Sequence, residues 1–149
     1  MRFWLCLAVI VVLDQWSKWM VGMSLAPGQS VVMLPGVMWF TYVFNRGAAF
    51  SMMQGQTVFF VVAAFLVVLA LIAYNLLAKP APVLQLITGM MAGGALGNLL
   101  DRCRLGHVVD FIDFRVWPVF NVADMAIVCG GILLGIYFIW FDKDEQSNE

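Results

Sequence analysis

The chain has 149 residues, of which 63% are hydrophobic and 11% charged, with a net charge of -1. A soluble domain has about a quarter of its residues charged, so a polar, water-facing surface is excluded, and a charge this close to zero argues against nucleic acid as a partner. The mean hydropathy of +0.92 is spread over several separate apolar runs, which makes this a membrane protein.

The first run, Phe3 to Met23, is interrupted by Asp14 and Lys18. A signal peptide would have its apolar part end at Leu13, but no small-residue cleavage site follows. The aromatic and charged continuation LDQWSKWMVGM reads instead as the far end of a retained helix. Residues 24–56 form a loop too long and too apolar to be a passive connector. Within it VVMLPGVMWFTYVF offers two β-prone runs around a Pro-Gly turn, and NRGAAFS supplies small residues that admit close approach of another chain.

The second and third spans are expected at 58–78 and 83–100, joined by the short connector KPAP. Each approaches the roughly 20 residues a bilayer crossing needs. In the loop 101–119, HVVDFIDFRVW alternates apolar and polar residues as a strand does. A small sheet built from the two loops, its apolar face toward lipid, is therefore plausible. The fourth span, 120–141, carries Asn121 and Asp124 near its beginning, and an acidic tail, DKDEQSNE, fills 142–149. Cys6, Cys103 and Cys129 are too widely spaced for a disulfide framework or a CxxC site. The expected architecture is one integral membrane domain, 1–149, an all-α bundle of four transmembrane helices with a small β element.

Four spans place both termini on one side. Chain parity then assigns Asp14, Lys18, the whole first loop, Asn98, Asp101, Arg102, the third loop, Asn121 and Asp124 to the opposite side. Asp124 is expected about six residues inside its span and Asp14 a similar number from the end of its own, roughly 9 Å of helix in each case. Ionisable groups in a membrane segment cost on the order of 2.5–3.5 kcal/mol each and face a bundle interior or wet cavity. Their convergence at one depth marks a candidate site.

Several constellations carry chemistry. Asp110 in the expected strand and Asp124 at the start of the fourth span can face each other across the short connection RVWPVFN. Two carboxyls that share a proton cleave an amide when the ionised one activates water and the protonated one polarises the carbonyl. The plainer alternative makes Asp124 a helix-start carboxylate on the dipole and Asp110 a solvated strand residue. Asp14 and Lys18, four apart with the acid first, form a favourable helical ion pair, which suits a structural or substrate-orienting role. Gly93 and Gly97 form a small-residue packing seam ahead of Asn98 and Arg102, which share a helix face and can hold a carbonyl or organise a carboxyl pair. Asn121 lies on the same side of its helix as Asp124, and Arg104 is placed to meet lipid phosphate. His107 is the only histidine and no cysteine is suitably spaced beside it, so no metal and no cofactor is expected.

In order and spacing, LDQWSK, FNRGAAFS, GGALGNLLDRCRLGHVVDFIDF and FNVADMAIVCGG resemble the signature blocks of the bacterial lipoprotein signal peptidases, the type II signal peptidases. The resemblance implies an aspartyl endopeptidase of the bacterial inner membrane that removes the signal peptide from diacylglyceryl-modified prolipoproteins, cleaving N-terminal to the lipidated cysteine. It implies catalytic roles for Asp110 and Asp124, and supporting or substrate-binding roles for Asp14, Lys18, Asn45, Gly47, Asn98, Arg102, Asn121 and Ala123. It further implies a β-cradle on the outer membrane surface, cytoplasmic termini, an active site near the outer face, and membrane lipid as the surrounding partner. Charge bias by itself leans the other way, with Arg2, Lys79 and Lys143 on the termini side against Arg46, Arg102, Arg104 and Arg115. Orientation therefore rests on the resemblance. Met125 departs from it, standing where a small polar residue is common.

Two other classes compete. A small proton- or ion-coupled transporter subunit would use Asp14, Lys18 and Asp124 as a relay, but it needs ionisable groups toward both faces, and the inner half offers only Tyr74 and Asn75 near its far end. A purely structural membrane subunit gives no reason for polar residues from three spans to converge.

Overall fold

The computed structural model describes residues 1–47 and 56–141. The acidic tail and the Ala48 to Ser51 part of NRGAAFS lie outside the described residues. Four long helices form the bundle: α1 (Arg2–Ser24), α2 (Thr57–Leu77), α3 (Pro82–Leu105) and α4 (Val122–Phe141). All four are long and apolar enough to cross a membrane. Large apolar side chains cover the outward faces of α1, α2 and α4, with Val58 77% and Leu77 84% exposed. A surface of this kind is stable only against lipid.

α3 is the axis of the bundle. It packs against each of the other helices, whereas α2 makes few contacts with α1 or α4. Close approach explains the arrangement. A Cβ at Gly93 would lie 2.8 Å from the Leu7 carbonyl oxygen and 2.8 Å from Ile10 Cβ of α1. Without hydrophobic driving force between helices in lipid, such backbone proximity supplies the packing.

Hydropathy ends the third span at its first charges, but the helix does not stop there. Pro82 opens α3 at its first turn, and Gly106 closes it in the left-handed region, φ 75, its N–H donating to the Arg102 carbonyl. Asp101 and Arg102 are thus helical residues rather than loop residues, and Arg102 and Arg104 in the last turn suit the negative helix end. Asp124 also differs from expectation. α4 begins at Val122, so Asp124 stands in the first turn, because Asn121 caps the helix there.

The sheet has three antiparallel strands, β1 (Ser30–Leu34), β2 (Met38–Asn45) and β3 (Val108–Asp113), in that order. Pro35 and Gly36 form the hairpin turn; Gly36 has φ 74 and the Val37 N–H donates to the Leu34 carbonyl at 3.0 Å. The first and third loops therefore share one sheet, in line with the β-prone runs of the first and the alternation of the third. Asp110 pairs with Val43, and Trp39 with Asp113. β3 is tied to the start of α4 by backbone bonds between Ile112 and Phe120 in both directions.

Thr41 donates to Asp113 at 2.6 Å, and the Arg115 N–H donates to the same carboxylate at 2.8 Å. This holds Arg115 at φ 64, a left-handed conformation that costs about 1–2 kcal/mol. At the other end Val108 pairs with Asn45, so both ends of β3 are fixed and Asp110 lies between them.

Gly93→Ala should lower the stability of the detergent-solubilised protein by about 1–3 kcal/mol, the usual cost of overpacking. Thermal unfolding followed by tryptophan fluorescence measures this.

Candidate active site

Lys18 is 5% exposed and its ammonium has three donors, each with an acceptor. These are Asp14 Oδ2 at 2.8 Å, Asp101 Oδ2 at 2.8 Å and Asn98 Oδ1 at 3.0 Å. An ammonium can only donate, so Asn98 must turn its oxygen toward Lys18. Its Nδ2 then faces the other way and donates to Asp124 Oδ1 at 2.7 Å.

The same reasoning orients the other two amides. The Asp124 backbone N–H donates to Asn121 Oδ1 at 2.9 Å, and the Asn121 N–H lies 3.3 Å from Asp124 Oδ2. This reciprocal capping pair starts α4. It leaves Asn121 Nδ2 to donate to Asp110 Oδ1 at 2.7 Å, with longer contacts to Asn98 Oδ1 and the Val109 carbonyl. At the end of β2, the Gly47 N–H donates to Asn45 Oδ1 at 2.9 Å, and Asn45 Nδ2 donates to Asp110 Oδ2 at 2.9 Å. Three amides, each fixed at its oxygen by a backbone or ammonium donor, thus present their NH₂ groups to the two carboxyls.

Asp14 acts on the same structure from α1. It is fully buried, and its Oδ1 accepts from the Ala123 N–H at 2.9 Å, at the positive end of α4. A Cβ at Gly97 would lie 2.5 Å from Asp14 Oδ2, so the glycine makes room for the carboxylate. Ala123 is fully buried against the same place. Arg102 donates to the Gly47 carbonyl at 3.2 Å and lies over the Phe60 ring at 5.2 Å, joining α2 and the end of β2 to α3.

The structure therefore brings together Asp14, Lys18, Asn45, Gly47, Asn98, Arg102, Asp110, Asn121, Ala123 and Asp124. Gln15 is not among the residues the sequence singles out, and Asp101 is placed on the polar side by parity without a role. Gln15 donates to Asp101 at 2.9 Å, to Asp14 at 3.1 Å and to the Gly97 carbonyl at 3.2 Å. Asp101 also accepts the Val109 N–H at 3.2 Å, joining the ion pair to β3. The available signal for Asp101 was its position three residues after Asn98, on the same side of the helix. His107 packs on the Phe44 ring instead of lying among carboxylates. Among the described residues no group of three or more His, Cys, Asp or Glu side chains is arranged to hold a metal.

Asp110 is 2% exposed. Burial, reinforced by the charge of Asp124, pushes its carboxyl up to about 7, against the opposing hydrogen bonds from Asn45 and Asn121. A pair of carboxyls in which one retains a proton near neutrality can activate water and polarise an amide carbonyl at once.

A family model described as Signal peptidase (SPase) II matches residues 6–140. The lipoprotein signal peptidase of Syntrophomonas wolfei is 50% identical over 148 residues, covering 99% of each chain. That of Moorella thermoacetica is 45% identical, covering 100% of this chain and 99% of its own. A solved structure of a bacterial membrane enzyme superposes with a TM-score of 0.86 at 29% identity, covering 97% of this chain and 90% of the other. A second, also of a bacterial membrane enzyme, gives 0.84 at 30% identity, covering 92% of each chain.

Lys18→Met should cost about 3–5 kcal/mol, since it leaves two buried carboxylates without their cation; chemical or thermal unfolding in detergent checks it. Between 3.8 and about 7 the folded protein keeps on Asp110 a proton that the unfolded chain has released. Stability from this group therefore falls as pH rises through that window. The difference in melting temperature between wild type and Asp110→Asn, followed against pH, should change in favour of the variant across it.

Proposed function

The chain belongs to the signal peptidase II family, a peptidase family, and from that premise we propose that it removes signal peptides from diacylglyceryl-modified prolipoproteins with Asp110 and Asp124 as an aspartyl pair. The observation that carries the catalytic assignment is that Asn121 reaches both carboxyls, Asp110 Oδ1 through its side-chain Nδ2 and Asp124 Oδ2 through its backbone N–H. Its Nδ2 donates to Asp110 at 2.7 Å and its backbone N–H lies 3.3 Å from Asp124 Oδ2, while its Oδ1 accepts from the Asp124 backbone N–H at 2.9 Å.

The pair works with one shared proton, supported by the elevation of Asp110 to about 7. A water held between the carboxyls loses a proton to the ionised member as its oxygen bonds to the scissile carbonyl carbon. The protonated member donates to the carbonyl oxygen, stabilising the charge that develops there. Collapse of the tetrahedral intermediate breaks the C–N bond, and a carboxyl delivers its proton to the departing amine of the lipidated cysteine. No metal and no covalent acyl-enzyme enters this sequence.

The supporting residues fall into two groups in this reading. Asp14, Lys18, Asn98, Asn121 and Ala123 fix the position of Asp124. Asn45, Gly47 and Arg102 lie where the substrate backbone reaches Asp110, and Asn45 and Arg102 carry donors for its carbonyls. With the termini in the cytoplasm, the sheet and the carboxyl pair lie at the outer face of the bacterial inner membrane. That is the depth at which the lipid anchor of a prolipoprotein holds its cleavage site, with membrane lipid around it.

A relay through the bundle finds no support. Between Thr88 and Asn98, α3 offers only Gly, Ala, Met and Leu over about ten residues, roughly 15 Å. Toward the termini Asn75 bonds to Thr88 and to the Leu71 carbonyl.

Purified protein should cleave a diacylated prolipoprotein in detergent with a chelator present. Folded Asp110→Asn and Asp124→Asn should each lose on the order of 10²–10⁴-fold or more in rate, and a near-normal rate in either would overturn the assignment. Cleavage by the wild type should also decline as pH rises through about 7, where Asp110 releases its proton.

A further inference from the structure

Two apolar cavities flank the start of α4. One, of about 350 Å³, runs along the outer side of α4 under the β3–α4 connection and is lined by Phe114, Trp117, Phe120, Val128 and Cys129, with Asp124 at its edge. The other, of about 290 Å³, lies in the trough between α2 and α4, floored by α3, and includes Ala63, Ala64, Ala95, Asn98, Arg102 and Ile127. At about 100° per residue, Val128 lies to one side of Asp124 on the helical wheel and Ile127 to the other. The first cavity therefore reaches Asp124 directly, and the second, on the opposite flank of the helix, ends at Asn98, whose Nδ2 donates to that carboxylate.

Their linings differ in what they can accept. A peptide brings N–H and C=O groups that need partners in an apolar medium, and the trough has Asn98 and Arg102 at its upper end. Its alanines permit close approach of a helix, and α2 and α4 both pack on α3 with few contacts to each other. In the groove under the β3–α4 connection, the lining is aromatic and aliphatic apart from Asp124 and a thiol. A methylene chain, which needs no hydrogen bonds, suits it. Val128 and Ile132, exposed at 59% and 57%, continue its floor toward lipid.

We infer that the two cavities divide the substrate: the groove under the β3–α4 connection receives the acyl chains of the lipidated cysteine, and the α2–α4 trough receives the apolar segment of the signal peptide. This rests on the function proposed above. α4 then acts as a partition, with the scissile bond straddling its first turn at Asp124. Lipid recognition is steric, since an acyl chain already in the bilayer gains little from further apolar contact.

The test uses the Asp124→Asn variant, which holds substrate uncleaved, with two synthetic prolipoproteins. One carries a photoactivatable diazirine at the end of an acyl chain, the other in the middle of the signal segment. Mass spectrometry should place the acyl label on residues 114–129 and the signal label on residues 60–67 of α2. The uncleaved substrate should also protect Cys129 from an apolar maleimide while leaving Cys103 reactive, both thiols being exposed in the free protein. Val128→Trp should move the acyl label off residues 114–129 and raise KM for the diacylated substrate several-fold. Reversed labels, an acyl label on α2, labels confined to other lipid-facing residues, or equal protection of both thiols would overturn the division. Failure of the wild type to cleave either substrate would instead overturn the proposed function.

Discussion

The polar site depends on one buried ammonium. Lys18 has three donors and the bundle gives it three acceptors on two helices, so its charge is matched and its geometry fixed. Because it cannot accept, it determines which way the Asn98 amide points, and that amide determines what Asp124 receives. An ion pair buried for stability alone is a doubtful investment, since desolvation can exceed the Coulombic gain. Here the burial also fixes direction, because each amide whose oxygen is taken by a donor has only its NH₂ to present.

Backbone proximity makes this possible. Gly97 leaves space for the Asp14 carboxylate, which reaches across α3 to the N-terminal amides of α4. The negative charge lies where the helix dipole favours it, and Asn121 and Asp124 complete the cap from within α4. The same four residues that begin the helix in this way, Asn121 to Asp124, include the site carboxylate. Capping the helix and serving in the proposed pair are therefore not alternatives for Asp124, because the cap fixes the carboxylate in place. The sheet supplies the other half, fixed at one end by Asn45 and at the other by the Thr41–Asp113–Arg115 contacts.

Much of this was legible in the residues, for identifiable reasons. A bilayer imposes a length on helices and a cost on charges, so apolar runs and the polar residues that interrupt them indicate both the spans and the region of the site. β-prone runs around a Pro-Gly turn in the first loop and alternation in the third indicate strands. Where the reading fell short, the cause was local chemistry that hydropathy does not register. The third span was ended at Leu100 because charges follow, whereas its helix runs to Leu105 until Gly106 supplies the left-handed residue that stops it. Asp124 was expected deeper because the apolar run begins before the cap. Gln15 was missed because a residue adjacent to Asp14 on a helix does not share its face, and only contact with α3 reveals that its longer side chain turns back to Asp14 and Asp101.

By itself the sequence determined that the chain crosses a membrane four times and that its polar residues gather at one end, because both follow from the cost of polar groups in hydrocarbon and from parity. It also carried the family signature in the order of its motifs. Only the tertiary structure decided which polar group faces which. Hydrogen-bond direction depends on distances between helices that are remote in the chain, and these are set by glycine seams and by the register of β3 against β2. The trough between α2 and α4 arises in the same way, from two helices that share α3 with few contacts to each other, and the other cavity from the β3–α4 connection lying against α4.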